Sequence, residues 1–154
     1  MRAQPNPPAA DDDSVAMPTS TGSPAWMRRW LVAAGIYNLF WGALVVLLPD
    51  ALFRLVGMEP LAGPGRGIWQ CLGMVIGVYG IGYLAASRDP LRHWPIVLVG
   101  LLGKIFGPIG FVWTASRGEI PWSFGATILT NDLVWWVPFA IMMKRGIAAD
   151  RTGG

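Results

Sequence analysis

A chain of 154 residues that is 53% hydrophobic and only 14% charged does not have the composition of a soluble globule, because ordinary domains carry about 25% charged residues. The net charge of +3 comes from basic residues that flank apolar runs, where they act as topology signals. They form no phosphate-binding patch, so no nucleic-acid partner is expected. The single cysteine, Cys71, excludes an intrachain disulfide and a cysteine-based metal site.

Residues 1–24 hold five prolines and the acidic run Asp11–Asp13. Such a stretch buries too little apolar surface to offset its ordering entropy, and it is expected to be a disordered tail. Arg28 and Arg29 then precede the run Trp30–Leu48. This run lacks a small-residue cleavage site and is longer than a secretory apolar core, so it reads as a retained anchor. Ile68–Ala86, Trp94–Thr114 and Gly125–Met143 follow, and all four runs are 19–21 residues long. At 1.5 Å per residue, about 20 helical residues cross the ~30 Å hydrocarbon core. The expected fold is therefore all-α, a four-helix transmembrane bundle of antiparallel neighbours in contact with the lipid bilayer. Residues 25–145 form its membrane domain and 146–154 a C-terminal tail.

The connections are short. Pro49–Pro60 places Leu52, Phe53, Leu55 and Val56 among polar residues, the pattern of a short interfacial helix ended near Gly57 and Pro60. Residues 62–67, AGPGRG, read as a flexible turn. The loop Ser87–Pro95 holds His93, the only histidine, expected to be solvated. Arg2, Arg28, Arg29, Arg88, Arg92, Lys144, Arg145 and Arg151 lie on the N-terminal side of the membrane, against Arg54, Arg66 and Arg117 on the other. The positive-inside rule then puts both termini in the cytoplasm of a bacterial inner membrane. Trp26, Trp30 and Trp94 mark one interface and Trp69, Trp113 and Trp122 the other. Trp41, Trp135 and Trp136 lie deeper.

Two spans carry glycines at helical spacing: Gly73, Gly77 and Gly80 in the second, and Gly100, Gly103, Gly107 and Gly110 in the third. Small residues let helices approach closely in lipid, so these faces are expected to clasp the second and third spans together. A homo-oligomer formed through one of them is the competing reading. Pro108 is expected to kink the third span beside Lys104.

Each span also places a polar side chain at a similar depth. Counted from the outer ends, Asn38 and Lys104 lie ~15 Å down, Tyr79 ~16 Å and Asp132 ~10 Å, with Asn131 adjoining. A charge at mid-membrane costs about 2.5–3.5 kcal/mol, so a Lys104–Asp132 pair, with Asn38 as a further partner, is the expected arrangement. Two alternatives stay open: a pocket for a small hydrophobic ligand, walled by Trp41, Trp135 and Trp136, and a proton or ion path. No residue pattern demands a cofactor or metal, and no catalytic set is legible.

Residues 69–111, WQCLGMVIGVYGIGYLAASRDPLRHWPIVLVGLLGKIFGPIGF, and 130–139, TNDLVWWVPF, resemble a group of short uncharacterised bacterial four-helix membrane proteins. Some of these carry the name alkyl hydroperoxide reductase. That chemistry requires an activated thiolate, and Cys71 has no basic neighbour in sequence. More broadly the chain is similar to DoxX-like membrane proteins. That resemblance implies a membrane redox accessory or enzyme linked to quinone, lipid or peroxide as the alternative function, with a quinone as an alternative ligand. A sterol-isomerase type of bundle is a further analogy, resting on aromatic and polar residues inside four helices.

Overall fold

A computed structural model describes residues 22–153. The tail expected over 1–24 lies outside them except for its last three residues. Among the described residues there is no strand. The chain forms α1 (Ala25–Leu47), α2 (Ala51–Leu55), α3 (Gly63–Ala86) and α4 (Trp94–Ser116). It then forms a 3-10 turn (Trp122–Gly125), α5 (Ala126–Ile128), a π-helical turn (Leu129–Leu133) and α6 (Val134–Gly153). Among the described residues, four helices are long and apolar enough to cross a membrane: α1, α3, α4 and the composite Trp122–Thr152. Apolar side chains such as Phe40, Ile68, Val78, Phe106 and Val137 face outward on all four, as lipid contact requires and water would not favour. The chain is a multi-pass membrane protein.

Local chemistry explains where the helices begin and end. The loop helix expected after the first span is α2, and the chain leaves it through Gly57 at φ 75°, a left-handed conformation that glycine adopts without steric cost. Helix α3 starts at Gly63, so most of the stretch 62–67 expected as a flexible turn is its first turn. Pro64 stands in its first turn, where the missing N–H has no helical partner to lose. Helix α6 continues through 146–153, the segment read as a tail, and Gly146 lets it lie against Trp94 and the Leu91 carbonyl. In the loop before α4, Ser23 Oγ donates to Asp89 Oδ1 at 3.0 Å and His93 Nδ1 lies 2.9 Å from the Asp89 carbonyl. His93 is half-buried, with its ring against the loop's own backbone.

The helices associate as two intimate pairs. Helix α3 turns its glycines to α1. A Cβ at Gly42 would come 2.6 Å from the Gly73 carbonyl oxygen, and one at Gly80 would come 2.8 Å from that of Gly35. The register thus runs in opposite senses along the two helices. Helix α4 pairs with α6 and the turns before it: Phe111 lies over Gly125, Lys104 meets Asn131 and Trp136, and Trp94 meets Gly146. This corrects the expected clasp between the second and third spans. Helices α3 and α4 are joined by the short loop, but most of their glycines do not face each other. Gly103 and Gly110 would meet no atom within 4 Å if given a Cβ.

A common core joins the pairs in the half of the bundle nearest that loop. Met27, Leu31, Tyr83, Val97, Trp135, Phe139 and Met142 are buried there together. At the opposite end a separate aromatic cap forms, with Phe53 5.3 Å from Trp69 and 6.2 Å from Phe124 between ring centroids. Between core and cap, at mid-helix depth, the polar side chains of the spans collect.

Candidate functional site: a polar cleft at mid-bundle

The site begins with two breaks in the helical hydrogen-bond ladder. Pro108 lies inside α4 and has no N–H, so the carbonyl four residues earlier, that of Lys104, loses its donor. Trp136 replaces it: its indole Nε1–H donates to the Lys104 carbonyl at 3.0 Å. The second break is the π-turn over Leu129–Leu133, where the Val134 N–H reaches back five residues to the Leu129 carbonyl. The Thr130 carbonyl is thereby deprived of its α-helical donor, and the Trp135 indole donates to it at 3.0 Å. Lys104 Nζ donates to the Asn131 carbonyl in the same turn. A carbonyl without a donor is costly in lipid, and π-turns recur at functional sites. Each break here is closed by a side chain, and two of those side chains belong to the paired helix.

This geometry accounts for two of the deep tryptophans. Trp135 is buried between Trp30, Tyr37 and Phe139, with ring centroids 5.8, 5.7 and 6.1 Å away. The Lys104 ammonium stands 5.7 Å from the Trp135 ring centroid, a cation–π contact. Trp136 seals α4 from its partly exposed position on α6. Trp41 stacks on Tyr37 at 6.2 Å and lines a different depression with Leu52 and Thr127.

Of the eight residues singled out from sequence, five come together. Asn38, Tyr79, Lys104, Asn131 and Asp132 line one cleft of about 270 Å³, completed by Leu72, Val75, Ile76, Tyr83 and the backbone of Gly100, Gly103 and Gly107. Trp41, Trp135 and Trp136 are not part of its wall. Tyr83 was missed by sequence reasoning. Its ring and hydroxyl sit against Gly100, in the space a Cβ there would occupy. The signal was the coincidence of Tyr83 and Gly100 at matching depth on either side of the loop.

Asn38, Lys104 and Asp132 are 4%, 5% and 6% exposed, which makes their partners decisive. The expected Lys104–Asp132 ion pair is not formed within 4.0 Å. The lysine uses the main-chain carbonyl of Asn131 instead. The Asp132 carboxylate accepts from Asn131 Nδ2 at 3.2 Å on each oxygen and lies over the Gly107 backbone. Two amide oxygens, Asn38 Oδ1 and Asn131 Oδ1, are buried with no hydrogen-bond partner.

No family model matches the chain, and no curated protein or solved structure does.

The arrangement therefore holds a cation and a carboxylate of balancing charge, two amides with unmet acceptors and two phenols around a cleft. Cys71 is exposed on α3 and is not among the residues that line it. Among the described residues no cluster of three or more His, Cys, Asp or Glu side chains is placed to hold a metal ion. A site of this kind can orient a polar group by hydrogen bonds inside an apolar surround.

Proposed function

We propose that this protein binds a small hydrophobic molecule with a polar head inside the membrane, at the cleft around Lys104 and Asp132. The observation that carries the reading is the pair of unpartnered amide oxygens, Asn38 Oδ1 and Asn131 Oδ1, beside that cleft. A buried polar atom left unmatched costs about 1–3 kcal/mol, and buried polar groups in native proteins are normally satisfied. A purely structural cluster would have closed on itself, whereas this one keeps open volume and unmet hydrogen-bonding capacity together. The proposal includes the orientation given by the basic residues, with both termini in the cytoplasm of a bacterial inner membrane. It also includes kinship with the short four-helix bacterial membrane proteins, carried by residues 69–111 and 130–139.

The test is mass spectrometry of the protein purified from native membranes in mild detergent. A small amphiphile is expected to accompany the wild type and to be depleted in Asp132→Leu. A wild type that carries none, and that no hydrophobic candidate stabilises against heat, contradicts the reading. Reporter fusions at Arg54 and Arg88 are expected to report opposite sides of the membrane, with Arg88 on the cytoplasmic side.

A further inference from the structure

The cleft around Lys104 does not end the open space between α3 and α4. A second cavity, of about 350 Å³, lies toward the loop and is lined by Val78, Tyr79, Gly82, Pro95, Ile96 and Val99. Its lining contains no charged side chain, and Tyr79 walls both spaces. Both open between α3 and α4 on either side of Tyr79, so this groove carries polar groups at one end and apolar ones at the other.

The walls of this groove face lipid. Leu72, Val75 and Val78 are 46%, 51% and 66% exposed on α3, and Gly103 and Gly107 are exposed on α4. All of these residues lie well inside their helices, far from either end, so the opening is at hydrocarbon depth and not in water. The space beside Gly103 is open, since a Cβ there would meet nothing within 4 Å.

Charge narrows the occupant. The polar end holds one ammonium and one carboxylate, which cancel. An anionic head would face Asp132, and a cationic head would face Lys104. A neutral hydroxyl fits both, because it donates to a carboxylate or amide oxygen and accepts from an ammonium. Lys104 spends one N–H on the Asn131 carbonyl and has others to offer.

Resting on the ligand-binding reading above, we infer that the groove admits one uncharged amphiphile sideways from the lipid. Its hydroxyl-type head lies among Asn38, Lys104 and Asp132. Its apolar tail runs between α3 and α4 toward the loop, past Tyr79 and against Val99.

The experiment uses the full chain in vesicles of neutral phospholipid and a hexadecanol probe carrying a mid-chain diazirine. The matched methyl ether, carboxylic acid and amine serve as comparison probes. After irradiation the labelled residues are located by mass spectrometry. The alcohol is expected to label α3 and α4 around Val78 and Val99, and Gly103→Leu is expected to reduce that labelling by about tenfold or more. Gly110→Leu, on the same helix but outside the groove, is expected to leave it unchanged. The ether and both charged probes are expected to label the groove less than the alcohol.

Labelling that survives Gly103→Leu but is lost in Asp132→Leu overturns the lateral route while leaving binding at the cleft intact. Labelling spread evenly over all four spans overturns binding as well. Acid or amine labelling as strong as that of the alcohol overturns the neutral head. Equal loss in the Gly103→Leu and Gly110→Leu variants, with a change in oligomeric state, overturns the proposal in favour of a second copy covering α4.

Discussion

Helices α3 and α4 both carry glycines every three or four residues, yet Gly73 and Gly80 on α3 and Gly103 and Gly110 on α4 do opposite things. On α3, Gly73 and Gly80 are buried against α1, where an added Cβ would strike Val45 at 2.7 Å or the Gly35 carbonyl at 2.8 Å. The absent side chains there become helix–helix contact, the use small residues normally have in lipid. On α4, Gly103 and Gly110 would meet nothing within 4 Å. The absent side chains there become space, and at Gly103 that space is part of the polar cleft. A glycine stripe thus states that side chains are missing, and only the partner helix decides whether backbone or void takes their place.

The contrast can be broken most forcefully at Gly42 of α1. Its Cβ would meet backbone atoms of Gly73 and Gly77 at 2.6–3.1 Å, and backbone cannot rotate away as a side chain can. Gly42→Ala is expected to destabilise the protein by about 3 kcal/mol, measured by reversible unfolding in detergent. Gly100→Ala is expected to cost less, about 1–3 kcal/mol. The obstacle there is the ring and hydroxyl of Tyr83, and that side chain can shift toward the cleft.

A smaller effect sharpens the account of α4 itself. Trp136→Phe removes the donor to the Lys104 carbonyl, and interhelical hydrogen bonds in membranes average about 0.6 kcal/mol with a maximum near 1.7. The expected loss is about 1 kcal/mol. Pro108→Ala returns a backbone N–H to the same carbonyl, so the tryptophan substitution is expected to cost measurably less in that background. A double-mutant cycle on thermal or denaturant stability reads this coupling. Equal cost in both backgrounds would mean that the indole does not replace the proline's missing donor.

The four spans were legible in the sequence because hydrocarbon thickness and helical rise leave little freedom in their length. Depth was legible for the same reason, and it brought Asn38, Tyr79, Lys104, Asn131 and Asp132 to one level. Pairing was harder, because spacings of three and four describe Gly73–Gly80 and Gly100–Gly110 equally well. The short loop at Ser87–Pro95 suggested that its two helices clasp, yet sequence proximity joins helix ends without choosing faces. The Lys104–Asp132 pair was expected because charged side chains are visible in a sequence. The carbonyl that Lys104 meets instead belongs to a π-turn, which no residue pattern announces. The roles of Trp135 and Trp136 follow from the same turn and from Pro108, so they emerge only once the broken ladder is seen.

The most direct test of the two stripes is a matched pair of substitutions, Gly73→Leu and Gly103→Leu, compared by unfolding free energy in the same detergent. Gly73→Leu is expected to lose about 3 kcal/mol or more, because α1 has no room to yield. Gly103→Leu is expected to stay within about 0.5 kcal/mol of wild type, because its side chain enters open space. Comparable losses in the two variants would show that α4 packs through its glycines as α3 does, and would contradict the account.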